Sequence, residues 1–149
     1  MHISQRGLYA LLALLHLAEA HGRDGLVRKH EIAETEGIPG KFLESIMVTL
    51  KNARMVVSHR GREGGYRLRR PPAEIQMGDV IRLIDGPLAP LGDVVELTHR
   101  VRTEKHHVGL FDLFLQVRNA EAAILDHTSL ADVLERSRNL LVSRRARRP

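Results

Sequence analysis

Between Ser58 and Leu68 the chain reads Ser-His-Arg-Gly-Arg-Glu-Gly-Gly-Tyr-Arg-Leu, and this stretch admits few local structures. Tyr66 and Leu68 alternate with Arg67 and Arg69, so a strand here has one apolar and one cationic face. Gly61, Gly64 and Gly65 permit positive φ and a close backbone approach to a partner. The pattern predicts two short strands joined by a glycine-rich tip that carries arginine. Beside helices, such a hairpin is the wing that a winged DNA-binding domain lays on a backbone or minor groove. A plain surface hairpin with solvated arginines uses the same residue types.

What precedes the hairpin is helical. Ser4 is placed to cap a helix reaching about His21, with Leu8, Leu11, Leu12, Leu15 and Ala18 forming its apolar face. The run from Leu8 to Ala18, followed by Ala18-Glu19-Ala20, imitates a secretory signal. It is too short to span a membrane, contains Tyr9 and His16, and leads straight into a helical pattern, so it is read as a buried first helix. Nothing later is long and apolar enough for a membrane span. Gly22 and Asp24-Gly25 break the first helix. A short second helix is expected over Arg28–Glu36, stopped by Gly37-Ile38-Pro39. A third is expected from Pro39 to Asn52, with Leu43, Ile46, Met47 and Leu50 as its inward stripe. Two helices joined by a tight glycine turn match a helix-turn-helix. An ordinary helical hairpin shares much of this, and the wing directly downstream favours the helix-turn-helix.

The 149 residues suffice for one domain, or a small domain plus an extension. Residues 1–72 hold 12 Lys/Arg against 7 Asp/Glu, residues 73–142 hold 7 against 11, and the tail adds Arg144, Arg145, Arg147 and Arg148. A basic head on a mildly acidic segment suits a polyanion-binding module joined to an association module. With three Phe, two Tyr and no Trp, the chain lacks the aromatics for a stacking platform on single strands. It has no cysteine, which excludes disulfides, thiol nucleophiles and cysteine-ligated zinc or iron–sulfur centres.

Past the hairpin, Pro71-Pro72 ends the wing. A short helix is expected over Asp79–Asp85 with Val80, Leu83 and Ile84 inward, closed by Gly86-Pro87. Residues 86–107 show the least regularity. Val108 to Leu125 reads as a long helix whose first half is apolar nearly all round, so part of it should be buried beyond its own domain. Leu110, Phe111, Phe114 and Val117 are the candidate dimer contacts, with a central helix of a monomeric core as the alternative. Ser129-Leu130-Ala131-Asp132 opens a short last helix that should stop before a disordered basic tail. The organisation expected is a winged helix-turn-helix head over 1–72, a connecting helix, sensor-region loop and dimerisation helix over 73–142, and the tail over 143–149. The class is mainly α with a small β-hairpin wing.

Taken in order, these residues resemble the Rrf2 family of bacterial winged-helix transcriptional regulators along most of the chain. The resemblance is carried by Ile3-Ser4 with Gly7-Leu8-Tyr9-Ala10, Ile32-Ala33-Glu34, and Ile38-Pro39 with Phe42-Leu43-Glu44. It continues with Leu50 leading to Val57-Ser58, then Arg60-Gly61 followed by Gly64-Gly65-Tyr66-Arg67-Leu68. Pro72, Ile75, Gly78-Asp79-Val80-Ile81 and Leu130-Ala131-Asp132-Val133 complete it. The resemblance implies a homodimer held by a long helix, a third helix in the major groove and a wing in the minor groove. It places the family's glutamate on Glu44, able to accept from cytosine N4, and the wing arginine on Arg60, suited to a narrow minor groove. Lys41, Lys51 and Arg62 are candidate phosphate contacts by charge and placement. Phe42, Ser45, Ser58, His59, Gly61, Gly64 and Gly65 complete the candidate DNA-binding set, with His59 directed at phosphate.

The chain departs from its relatives in one chemical respect. Many of them bind an iron–sulfur cluster through three cysteines between the helix after the wing and the long helix. Here that segment runs from Gly86-Pro87-Leu88-Ala89-Pro90 through His99 to His107 without a cysteine. No cofactor is expected, and a signal would come from a small ligand, a protein partner or nothing at all. His99, His106 and His107 lie near Glu104 and Asp112, but adjacent histidines diverge on a regular element. They are read as exposed or capping residues rather than metal ligands. No catalytic constellation is present and enzyme activity is not expected. The expectation is a cytoplasmic homodimer acting on double-stranded DNA at palindromic operators as a repressor. The alternative is a ligand- or protein-binding sensor with weak DNA affinity.

Overall fold

The computed structural model describes residues 1–23, 26–88 and 92–147. The expected break at Asp24-Gly25, the Ala89-Pro90 part of the irregular segment and the tail residue Arg148 lie outside these.

Helix α1 (Gln5–Glu19) is the axis of the fold. Ser4 caps it, its hydroxyl accepting from the Gly7 N–H at 2.9 Å. Gly7, Ala10, Leu11, Leu14, Leu17 and Ala18 are buried at helical spacing, joined by Ala13. Leu8, expected to face inward, is exposed. The buried arc centres on Leu14, and Leu8 lies about 120° around the helix from it at 3.6 residues per turn.

Helices α2 (Lys29–Glu36) and α3 (Gly40–Asn52) form the expected helix-turn-helix. Gly37 adopts φ 65°, ψ 34°, a left-handed conformation that turns the chain without a Cβ penalty. The Ile38 N–H then donates to the Ala33 carbonyl at 2.9 Å, and Ile38 enters the core. Pro39 is the cap residue before α3 rather than its first residue. Leu43, Ile46, Met47 and Leu50 are all buried, as their spacing requires.

Strands β1 (Val56–His59) and β2 (Gly65–Leu68) pair antiparallel, with Val56 opposite Leu68 and His59 opposite Gly65. Val27, just before α2, adds a rung on the other side of β2: its N–H donates to the Tyr66 carbonyl at 2.9 Å and its carbonyl accepts from the Tyr66 N–H at 2.8 Å. Leu68 is buried and Tyr66 half-buried, while Arg67 and Arg69 face solvent, as the alternation predicts.

A 3-10 turn at Pro72–Glu74 leads to α4 (Met77–Asp85), which begins two residues before the expected start. Val80 and Ile81 are its fully buried side chains and Ile84 is half-buried. Leu83, expected inward, is exposed, because α4 presents its 77–80–81–84 side to α1. Residues 94–103, within the segment read as irregular, form helix α5 (Val94–Thr103). Asp93 caps it, accepting from the Val95 and Glu96 N–H groups at 2.8 and 2.9 Å. α5 packs along α6 (Val108–Leu125), whose bounds match those expected, and buries Leu97.

Helix α7 (Leu130–Ala146) is longer than expected and takes Arg144 and Arg145 into its last turn instead of releasing a disordered tail at Ser143. Cations there favour the negative end of the helix dipole. One apolar core joins α1, α2, α3, the hairpin, α4 and the start of α7 through Leu14, Ile32, Leu43, Val56, Leu68, Ile75, Val80 and Leu130. The boundary drawn at residue 72 therefore does not separate two cores.

The Ser129–Asp132 capping box is complete. The Ser129 N–H donates to the Asp132 carboxylate at 2.8 Å and its hydroxyl does so at 2.7 Å, while the Asp132 N–H returns to the hydroxyl at 3.2 Å. The Ser129 N–H first, and its hydroxyl second, hold the Asp132 carboxyl below the ordinary aspartate value. This support is fully present above that ordinary value and is lost as pH falls through the lowered one. Ser129→Ala should cost about 1 kcal/mol in denaturant unfolding at neutral pH. Asp132→Asn should destabilise at neutral pH, with the difference from wild type shrinking in acid.

Candidate nucleic-acid interface

With Leu43, Ile46, Met47 and Leu50 committed to the core, α3 turns Lys41, Glu44, Ser45, Val48, Lys51 and Asn52 outward as one continuous stripe. The Glu44 carboxylate lies 3.7 Å from the Lys29 ammonium, an exposed pair of small net worth. Phe42 at the margin is half exposed and sets its ring edge-to-face with Tyr9 at 5.9 Å. Arg6 of α1 lies against the same helix, donating to the Ser45 hydroxyl at 2.9 Å and the Thr49 hydroxyl at 2.8 Å. Sequence reasoning missed Arg6, which in the sequence is an ordinary helix-surface cation; only the crossing of α1 and α3 brings it here.

The wing tip spans Arg60 to Gly64 between the strands. His59, Arg60, Gly61, Arg62 and Glu63 are exposed, and Ser58 is half-buried opposite Tyr66. Gly61 has φ 113° and its carbonyl accepts from the Gly64 N–H at 3.0 Å. Gly64 and Gly65 do not adopt positive φ; their missing side chains serve the fold itself. A Cβ on Gly64 would strike the His59 carbonyl, and one on Gly65 would lie 2.6 Å from the Val27 carbonyl oxygen.

Two consecutive residues join these surfaces. The Arg28 guanidinium donates to the Arg62 carbonyl at 3.0 Å, and the neighbouring Lys29 meets Glu44. The wing tip and the outer stripe of α3 thus flank the first turn of α2 on one side of the molecule. Arg28 is a second contributor that sequence reasoning missed.

On α6, Leu110, Leu113, Val117, Ala120 and Ile124 are exposed. They follow the three-four spacing of a helix-pairing seam. Phe111 and Phe114 are half-buried, and the Arg100 guanidinium of α5 sits over the Phe111 ring, 5.6 Å from its centroid. Of the four candidate contacts, Leu110 and Val117 therefore stand in the exposed seam. Leu113, Ala120 and Ile124 belong with them, and their heptad spacing was readable in the sequence.

His99 lies on α5, and His106 and His107 connect it to α6, the two adjacent rings 6.4 Å apart between centroids. His107 makes no side-chain capping bond. Glu104 instead accepts from the backbone N–H groups of Lys105 and His106, both at 3.0 Å. Backbone hydrogen bonding, chiefly from His106 and then His107, holds its carboxyl below the ordinary value. Among the described residues no three His, Asp or Glu side chains are grouped to hold a metal. A cleft of about 560 Å³ opens between α1, α2 and α7, lined in part by His16, Arg23, Glu31, Leu134 and Arg138. No helix among the described residues is long and apolar enough to cross a membrane.

A helix-turn-helix followed at once by a basic wing is the DNA-binding fold of winged-helix transcriptional regulators. The chain belongs to the Rrf2 family, whose model, described as an iron-dependent transcriptional regulator, matches residues 3–136. CymR of Bacillus subtilis (strain 168), an HTH-type transcriptional regulator, is 35% identical over 133 residues, covering 89% of each chain. Rv1287 of Mycobacterium tuberculosis is 40% identical over 135 residues, 89% of this chain and 81% of its own. The solved structure of CymR, the global cysteine regulator of B. subtilis, superposes with a TM-score of 0.75 at 33% identity, covering 89% of this chain and 95% of that one. IscR of T. potens gives 0.74 at 29% identity, covering 92% and 88%. The family's iron dependence does not fit this donor set: the chain has no cysteine, and no His/Asp/Glu cluster replaces one among the described residues.

The crowding at Gly65 gives a direct check. Gly65→Ala should break the Val27–Tyr66 rung and destabilise the protein by about 1–3 kcal/mol in chemical denaturation, the usual range for overpacking. Gly61→Ala meets no neighbouring atom and should cost only its strained φ.

Proposed function

We infer that this transcriptional regulator binds palindromic operators as a homodimer and represses by occluding promoter DNA. The observation that carries the reading is the Arg28–Lys29 pair, which touches the wing tip with one residue and the outer stripe of α3 with the next. A helix and a wing fixed together can follow one duplex, helix in the major groove and wing in the minor groove. In this reading Glu44 accepts from cytosine N4 and Arg60 enters a narrow minor groove. Lys41, Lys51, Arg62 and His59 meet phosphates, with Phe42, Ser45, Ser58, Gly61, Gly64 and Gly65 shaping the surface between. The exposed α6 seam supports self-association, since two copies of one apolar stripe are complementary under two-fold symmetry. The protein would act where the chromosome is, in the cytoplasm.

Selection of bound sequences from random duplex DNA at physiological salt tests this. A palindromic consensus with half-sites about one helical turn apart is expected. Binding without a consensus, vanishing steeply with salt, would leave only charge attraction and refute the reading. Arg60→Ala should abolish specific binding while sedimentation still reports a dimer. Leu113→Glu with Val117→Glu should give a folded monomer that no longer holds the full operator.

A further inference from the structure

The outer stripe of α3 contains one residue that a solvated helix face does not call for. Lys41, Glu44, Ser45, Lys51 and Asn52 are polar, but Val48 in their midst is 54% exposed. A β-branched residue is a mediocre helix former, and here it gains little from burial in the free protein. Two hydroxyls beside it are already engaged. Arg6 holds the hydroxyls of Ser45 and Thr49, and the Thr49 hydroxyl also donates to the Ser45 carbonyl at 3.2 Å. That leaves Val48 as the apolar side chain exposed at the centre of the stripe, one turn from Glu44, whose carboxylate lies 3.7 Å from the Lys29 ammonium at the surface.

We propose that Val48 is a specificity-determining residue that reads thymine through its C5-methyl group in the major groove. The proposal rests on the operator-binding reading above. An isopropyl group neither donates nor accepts, so it can discriminate among bases only by apolar contact, and thymine alone presents a methyl in that groove. Four residues of helix advance about 6 Å, which is less than two base-pair steps of about 3.4 Å. Glu44 and Val48 therefore address positions within about two steps of each other, the first a cytosine and the second a thymine.

The test replaces thymine by deoxyuridine, one position at a time, in the operator selected by the wild-type protein, with binding followed by fluorescence anisotropy. At one position per half-site the loss of a single methyl should weaken wild-type binding about fourfold, the equivalent of one CH₂ unit left in water. Val48→Ser should bind thymine and uracil operators equally, and Val48→Ile should restore the discrimination. Because Val48 is exposed, circular dichroism of Val48→Ser should match wild type. A clear wild-type consensus with no position sensitive to uracil would overturn the proposal and leave the operator reading intact. So would a Val48→Ser protein that keeps the full methyl preference. Absence of any consensus would remove the operator reading, and this proposal with it.

Discussion

Burial of α1 on several sides is the constraint on which the rest of the structure depends. Ala10 and Ala13 are fully buried there alongside Leu14 and Leu17, and these small residues let neighbouring elements close on the helix. α2 and α3 of the reading head, β2 of the wing, and α4 and α7 from the second half of the chain all pack against it. Close-packed interiors transmit displacement because they hold few voids to absorb it. α4 and α7 share with the helix-turn-helix one close-packed neighbour, α1.

Polar clamps at the ends of this core fix how the halves meet. Asp85, last in α4, accepts from the Ser4 N–H at 2.9 Å and from the Ser4 hydroxyl, so the residue that caps α1 is itself held by α4. Gly7 sits where any side chain would collide with that carboxylate. From the same last turn of α4, Arg82 donates twice to Asp126, at 2.6 and 2.8 Å, and Gly78, one turn earlier, leaves room for the same aspartate. Both bonds come from one guanidinium nitrogen, a charge-assisted contact that ties the last turn of α4 to the residue capping the end of α6. The paired helices α5 and α6 are thereby oriented against the head by a few charged contacts rather than by a second large core.

Where local chemistry decides the outcome, the sequence was a sufficient guide. The Ser4 and Ser129 caps, the Gly37 turn, the inward stripe of α3 and the bounds of α6 follow from short-range rules that tertiary contacts had no reason to override. Leu8 and Leu83 went wrong because the centre of a buried arc depends on which neighbours arrive, and hydrophobicity alone does not weight one leucine over another. α5 escaped notice because Pro87, Pro90 and Gly92 read as loop, although Asp93 followed by Glu96 is itself a helix-start signal. Of the candidate site, the wing and the outer face of α3 could be read directly. Arg6 and Arg28 could not, since each reaches its place across more than thirty residues of chain.

The rung that Val27 adds to β2 has a consequence for solubility. A bare two-stranded ribbon offers two open edges to any passing extended chain, and each is a template for unwanted pairing. Here β1 pairs along one side of β2 and Val27 blocks the middle of the other side at Tyr66, which among the described residues leaves the outer edge of β1 as the longer open one. That edge is four residues long and ends in Ser58 and His59, too short and too polar to recruit a growing sheet. A protein that projects a basic hairpin into solvent is thus guarded against its hairpins zipping together when concentrated.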